Sequence, residues 1–183
     1  MKKVLLSVLF AAIAITAFQS CKKGENDPAI SLRSRDARLI AKWKLTKIEG
    51  SETSITSGVT QTTTKSYDGT TYTVSQVPGS TDVGTGTYEM EIKKDGKMSW
   101  SETFTSGTPA VTTNLSNSTI WFWLDGGKSK TIIMLQGGDV LFPGGISRID
   151  RLANKELVII MSGSSSHNGD SDSGSFKYTF TAQ

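Results

Sequence analysis

Histidine and cysteine, which often serve as nucleophiles, bases and metal ligands, occur once each in this 183-residue chain, as His167 and Cys21. Ser-His-Asp triads, Cys-His pairs and multi-histidine zinc sites all need one or more such residues close to their partners. His167 lies in a run of serine, glycine and aspartate, and Cys21 closes an N-terminal apolar segment, so none of these sites can be assembled. Glu89 and Glu91 share one face of a predicted strand, but no pattern buries them together and separates their pKa values. We therefore expect no catalytic residues and no enzymatic activity.

Residues 167–174 carry oxygen-bearing side chains at alternate positions, which is reminiscent of a calcium-binding loop. An EF-hand loop has glycine at its sixth position and glutamate at its twelfth. Counted from Asn168, Gly174 is seventh, and alanine or threonine stands where the acid is needed. We therefore predict a solvated hairpin loop here, with no metal site and no cofactor.

The N-terminus has the layout of a secretory signal peptide. Lys2 and Lys3 form a short basic head, and residues 4–18 are uncharged and mainly apolar up to the small residue Ser20. This run is shorter than the roughly 20 residues that a membrane-spanning helix needs. We therefore predict that residues 1–20 are a cleaved signal peptide.

The lone cysteine stands directly after this segment. Residues 18–21, Phe-Gln-Ser-Cys, resemble the lipobox, in which cleavage precedes a lipidated cysteine, so Cys21 would become the acylated first residue of a lipoprotein. The alternative is a secreted protein with an unmodified cysteine. Two or three acyl chains hold a protein to a membrane far more firmly than a single chain does. Residues 21–30 are charged, small and turn-prone, which predicts a flexible tether.

Composition limits what the remaining residues can be. Loss of Lys2 and Lys3 with the signal lowers the formal charge from +3 to +1, and the remaining basic residues form no cluster of the kind that binds nucleic acid. Residues 31–183 suffice for one domain with one core. No cysteine is left for a disulfide, so packing and strand pairing must stabilise it.

Apolar periodicity changes once near the start of this domain. Residues 31–42 have helical spacing, with Ser31 or Ser34 available as a cap, and predict a short amphipathic helix. From Trp43 the pattern alternates with period two, as in a strand with one dry face and one wet face. Asp-Gly pairs at 68, 95 and 125 supply the positive φ angles of tight turns.

These turns and runs predict an antiparallel, nearly all-β domain. The Asp95-Gly96 pair separates two arms that each alternate apolar residues toward one interior. Residues 119–124 and 131–135 predict another hairpin, and residues 146–152 and 156–161 a further one. The last alternating run, residues 176–180, can pair with the first strand and remove both sheet edges.

The sequence resembles the small lipocalin-like lipoproteins of Bacteroides-like bacteria. The resemblance rests on the lipobox, on residues 39–45, which look like the family's opening helix and first strand, and on residues 149–152 and 155–158. It implies an up-and-down β-barrel of about eight strands with a short N-terminal helix. It also implies that Trp43 is structural and closes one end of the barrel.

Four aromatic residues on strands with alternate inward positions are candidates for lining a cavity in the barrel: Tyr88, Trp100, Phe104 and Phe122. Such residues also fill cores, so both interpretations stay open. Eighteen of the 37 residues from 51 to 87 are serine or threonine, which predicts strands with a wet face.

Two functions follow from these patterns. The first is a lipid-anchored binding protein of the cell envelope, attached to the outer membrane and facing the periplasm or the cell surface, that holds a small apolar or amphipathic ligand as a monomer. The second is a structural or interaction protein with a filled barrel, which presents its Ser/Thr-rich strands and the 163–175 loop to a protein or carbohydrate partner.

Overall fold

The computed structural model describes residues 34–127, 129–135, 140–142, 144–167 and 169–183. The predicted signal peptide, Cys21 and the tether lie outside the described residues. Among the described residues, no helix has the length and apolar character needed to cross a membrane.

The described residues form one short helix, α1 (Arg35–Leu39), and ten strands. The strands are β1 (Lys42–Thr56), β2 (Val59–Tyr67), β3 (Thr71–Val77), β4 (Thr81–Ile92), β5 (Lys97–Ser106), β6 (Val111–Trp123), β7 (Thr131–Met134), β8 (Gly145–Leu152), β9 (Glu156–His167) and β10 (Asp170–Ala182). A 3₁₀ helix, Leu124–Gly127, follows β6.

Each strand pairs antiparallel with its neighbours in the chain, and β10 pairs with β1, so the sheet closes into an up-and-down barrel. The predicted all-β barrel is therefore confirmed, with ten strands instead of about eight. The two additional strands are β2 and β3. The first residues of β1 pair directly with β4, where Trp43 lies opposite Met90, and only the later residues of β1 pair with β2. Eight strands enclose that end, which we call the base. The β2–β3 hairpin is inserted between β1 and β4 nearer the opposite end, which we call the rim.

The predicted hairpins are present. Met90 faces Trp100 across β4 and β5, and the intervening turn contains Gly96 at φ 78°. The Asp95 carboxylate accepts a hydrogen bond from the Lys97 amide at 3.1 Å, and this bond helps to lower the pKa of Asp95. The closing pair is also confirmed, because Phe180 lies opposite Leu45.

The N-terminal helix is shorter than predicted. Ser34 caps it by accepting a hydrogen bond from the Ala37 amide, but the helix ends at Leu39 because the chain becomes extended at Ile40 and enters β1. Trp43, which the resemblance places at a closed barrel end, is fully buried at the base. Its ring N–H donates to the Leu39 carbonyl at 2.8 Å.

Two residues between β7 and β8 lie inside the barrel. Leu141 and Phe142, which we call the plug, are 1% and 0% exposed. The Phe142 ring lies 5.6 Å from Tyr88, 5.0 Å from Tyr178 and 5.4 Å from Phe180, measured between centroids. The base half of the interior is therefore filled by the strands together with the plug.

Gly50 marks a close approach of two strands. A Cβ built there would clash with the Ser175 carbonyl oxygen and would lie only 2.7 Å from Phe176 Cα. Both are backbone atoms, which cannot move aside independently.

Gly50→Ala should therefore lower the free energy of unfolding by about 3 kcal/mol. Gly163→Ala, where a Cβ meets nothing within 4 Å, is the control and should change it by about 0.5 kcal/mol or less. Denaturant titration of both variants tests this, and equal midpoints would contradict the close approach.

Candidate functional site

The rim half of the interior is open. Two adjoining cavities of about 760 and 680 Å³, the larger and smaller lobes, share Glu52, Thr63 and Gln76 in their walls. We call the combined space the cup. Because it combines these two volumes at the rim end of the barrel, it is the candidate ligand site.

The walls of the cup change from apolar to polar toward the rim. Strands β1, β2 and β3 present the row Ile48, Tyr67 and Tyr72 to the interior, and one step higher the row Gly50, Lys65 and Val74. The next row is Glu52, Thr63 and Gln76. The inward-facing residues thus change from apolar to polar within a few residues of each strand, and the polarity of the wall increases toward the rim.

Aromatic rings form the lower wall of the cup. Tyr72 meets Phe104 edge to face at 5.7 Å between centroids. Burial, followed by the charges of Glu102 and Glu52, raises the pKa of Tyr72 to about 12. Burial likewise raises the pKa of Tyr178 well above its ordinary value. The Tyr72 phenol, which lines the larger lobe, therefore stays protonated even in mildly alkaline solution and can donate a hydrogen bond.

Charged side chains lie above this wall. Glu52 and Asp82 line the larger lobe together with Lys65, whose ammonium lies 5.1 Å from the centre of the Phe176 ring. Carboxylates, an ammonium and the amide of Gln76 are thus available to polar groups of a bound molecule.

The structure separates the four predicted pocket residues. Phe104 lines the larger lobe. Tyr88 and Trp100 stack on each other at 6.1 Å below it, and Tyr88 packs on the plug, so both belong to the filled core. Phe122 is 42% exposed on the outer face, which corrects the prediction that it points inward. Its flanking residues, Trp121 and Trp123, take the inward positions, and the unbroken apolar run concealed this alternation.

Glu102 is a buried carboxylate that sequence analysis missed. It is 2% exposed, lies opposite Leu115 on β6, and accepts a hydrogen bond from the Leu141 amide at 3.1 Å. It therefore holds the plug against β5. The sequence did contain a signal for this residue. Glu102 stands between Trp100 and Phe104, at a position where the alternation of the strand calls for an inward-facing apolar residue.

The Ser/Thr-rich strands have the wet outer face that was predicted. Their hydroxyls also meet one another across strands, as between Ser75 and Thr81 at 3.0 Å and between Thr53 and Thr62 at 3.5 Å. Such pairs stabilise neighbouring strands.

The predicted 163–175 loop is instead a continuation of β9 and β10, whose pairing extends to His167 and Asp170. The prediction failed because serine and glycine were taken as loop residues, although they alternate here within a ladder. Asp170 accepts a hydrogen bond from the Ser57 amide at 2.8 Å. Among the described residues, no three His, Cys, Asp or Glu side chains are grouped closely enough to hold a metal ion.

Models of known protein families do not match this chain, and searches among curated proteins and solved structures likewise find no match.

Proposed function

We propose that this chain is a non-catalytic envelope lipoprotein, anchored to the outer membrane through Cys21, whose lipocalin-like barrel binds a small amphipathic ligand in the cup. The observation that carries the binding role is the open rim half of the barrel, with lobes of about 760 and 680 Å³. Small-molecule sites commonly enclose about 300–1,000 Å³.

The gradient of polarity in the wall favours an amphipathic ligand. Tyr72, Val74 and Phe104 offer an apolar surface on which a hydrocarbon or ring system can be buried. Glu52, Gln76 and their neighbours stand toward the rim, where a polar group of the ligand can keep its hydrogen bonds. The ligand would therefore lie with its apolar part directed toward the base.

The alternative, an interaction protein with a filled barrel, predicts no such space. Its proposed contact surface, the Ser/Thr-rich outer face, uses part of its hydroxyls in bonds between strands. The binding protein is therefore the function that the geometry favours.

Filling the cup tests the binding role. Thr63 points into both lobes and is 8% exposed, whereas Thr64 is the next residue and is exposed on the outside. The full-length lipoprotein is placed in lipid nanodiscs and titrated with a dansylated undecanoic acid, with emission from empty nanodiscs subtracted. Thr63→Trp should weaken binding of this probe by about tenfold or more, because the indole occupies the space, while Thr64→Trp should stay within about twofold of the wild type.

Gln76→Trp fills the same space from β3 and provides a second variant if Thr63→Trp folds poorly. Circular dichroism and melting midpoints confirm that each variant is folded. Equal probe affinities for the wild type and both cup-filling variants would refute binding in the cup.

A further inference from the structure

Five apolar side chains are exposed together on the outside of the barrel. They lie on β6, on β7 and the residue directly after it, and on β8. We call this group the apolar face: Ile120, Phe122, Ile133, Leu135 and Ile146. Leu135 and Ile120 are each 50% exposed, Ile146 is 65% exposed and Ile133 is partly exposed. Water-facing positions elsewhere on the sheet are mostly serine, threonine or charged residues, so this group is unusual for the molecule.

Strand register makes the apolar face contiguous. Phe122 lies opposite Ile133, and Ile133 lies opposite Ile146, so these three form one row across three strands. The Leu135 amide donates to the Ile120 carbonyl at 3.1 Å, which places those two side by side in the row above. A contiguous exposed patch of this kind is typical of a contact surface.

The N-terminal segment joins the barrel at the base of these same strands. The Arg35 guanidinium donates to the Ser129 carbonyl at 2.8 Å and lies 4.6 Å from the centre of the Trp123 ring. The Trp123 ring N–H donates to the Asp36 carboxylate at 2.7 Å. Arg35 and Asp36 therefore lie next to the base ends of β6 and β7, below the apolar face.

Basic residues flank the apolar face on both sides. Lys97 lies opposite Ile120 on β5, and Arg148 lies opposite Thr131 on β8. The Lys97 side chain is 71% exposed and lies 3.4 Å from the Asp95 carboxylate, and the Arg148 side chain is 60% exposed and lies 4.0 Å from the Asp150 carboxylate, so both cations can also reach an anionic headgroup. Apolar side chains bordered by cations are suited to the boundary of an anionic phospholipid surface.

We propose that the apolar face lies on the phospholipid bilayer that holds the lipid anchor, so that the barrel rests against the membrane on β6, β7 and β8. The inference rests on the proposed lipidation of Cys21. Twelve residues lie between Cys21 and Ser34, so the thirteen Cα–Cα steps reach at most about 45 Å, which keeps the apolar face within range of the bilayer. Tethering raises the effective concentration to roughly millimolar, so a weak surface suffices.

This orientation has a consequence for the cup. Ile146 also borders the smaller lobe. A bilayer in contact with the apolar face would therefore lie beside an opening of the cup, and an amphipathic ligand could pass between the lipid and the barrel without crossing open water.

Lipid-dependent quenching tests the docking. The full-length lipoprotein is reconstituted in vesicles of phosphatidylethanolamine and phosphatidylglycerol, with single cysteines introduced by Ile146→Cys or Ser51→Cys and labelled with the environment-sensitive dye NBD. Ser51 is exposed on β1, four strands from β7 in either direction around the base, and is the matched control. Doxyl-labelled phosphatidylcholine should quench the Ile146→Cys label at least threefold more than the Ser51→Cys label.

The wild-type protein reports separately on the anchor, because a lipidated Cys21 cannot react with the dye. A dye-reactive Cys21 would refute the anchor and the docking together. A protected Cys21 with equal quenching at both labels would refute the docking alone. A blue shift at the Ile146→Cys label that depends on protein density but not on doxyl lipid would also refute it, and would assign the apolar face to a second copy of the chain.

Discussion

Phe142→Ala is expected to lower the free energy of unfolding by about 4 kcal/mol, the largest stability effect that we predict for a single side chain. Phe142 is fully buried and its ring contacts Tyr88, Tyr178 and Phe180. The barrel wall is held by its hydrogen-bonded strands and cannot collapse onto the vacated volume. The change therefore adds a cavity to the loss of buried apolar surface.

Phe122→Ala provides the matched control, since it removes the same ring from a position that is 42% exposed. This variant should change the free energy of unfolding by about 0.5 kcal/mol or less. Urea titrations followed by tryptophan fluorescence give both values. Similar losses for the two variants would contradict the assignment of Phe142 to the interior and of Phe122 to the outer face.

Cys21→Ala is expected to move the protein from the membrane fraction to the soluble fraction almost completely. Each buried acyl methylene contributes about 0.8 kcal/mol, so two or three chains hold the protein in the bilayer far more strongly than five apolar side chains at its surface can. Fractionation of cells grown with radiolabelled palmitate measures both the location and the acylation of the protein.

Ser20→Ala is the control, because it keeps a small residue next to the predicted cleavage site and should leave both attachment and label unchanged. If the Cys21→Ala protein stays with the membranes after a carbonate wash although mass spectrometry shows that residues 1–20 have been removed, lipidation at Cys21 is not what holds it. Attachment that is lost only in the wash would instead indicate that the apolar face binds by itself.

Local patterns predicted most of the strand pairing. Alternation on both sides of Asp95-Gly96 defined a hairpin, because register across a short turn depends only on neighbouring residues. The last strand could be paired with the first because an unpaired edge at each end of such a sheet is unfavourable. Both pairings are present in the barrel.

Predictions failed where local pattern is ambiguous. Residues 120–124 are apolar on both faces, so alternation could not show that Phe122 points outward. Residues 163–175 contain mainly small and polar residues, which suit a loop and a solvated strand equally well. The strand number was too low because β2 and β3 form an inserted hairpin, while β1 pairs with β4 beneath it.

The sequence by itself determined the all-β class, the order of the hairpins and the closing of the sheet, since each depends on residues close in the chain or on a simple alternation. Only the tertiary structure decided what the barrel contains. Whether an interior is filled depends on which distant segment turns inward and on the volume left between side chains from many strands. Here Leu141 and Phe142 fill the base half, Glu102 holds them there, and the rim half stays open as the cup.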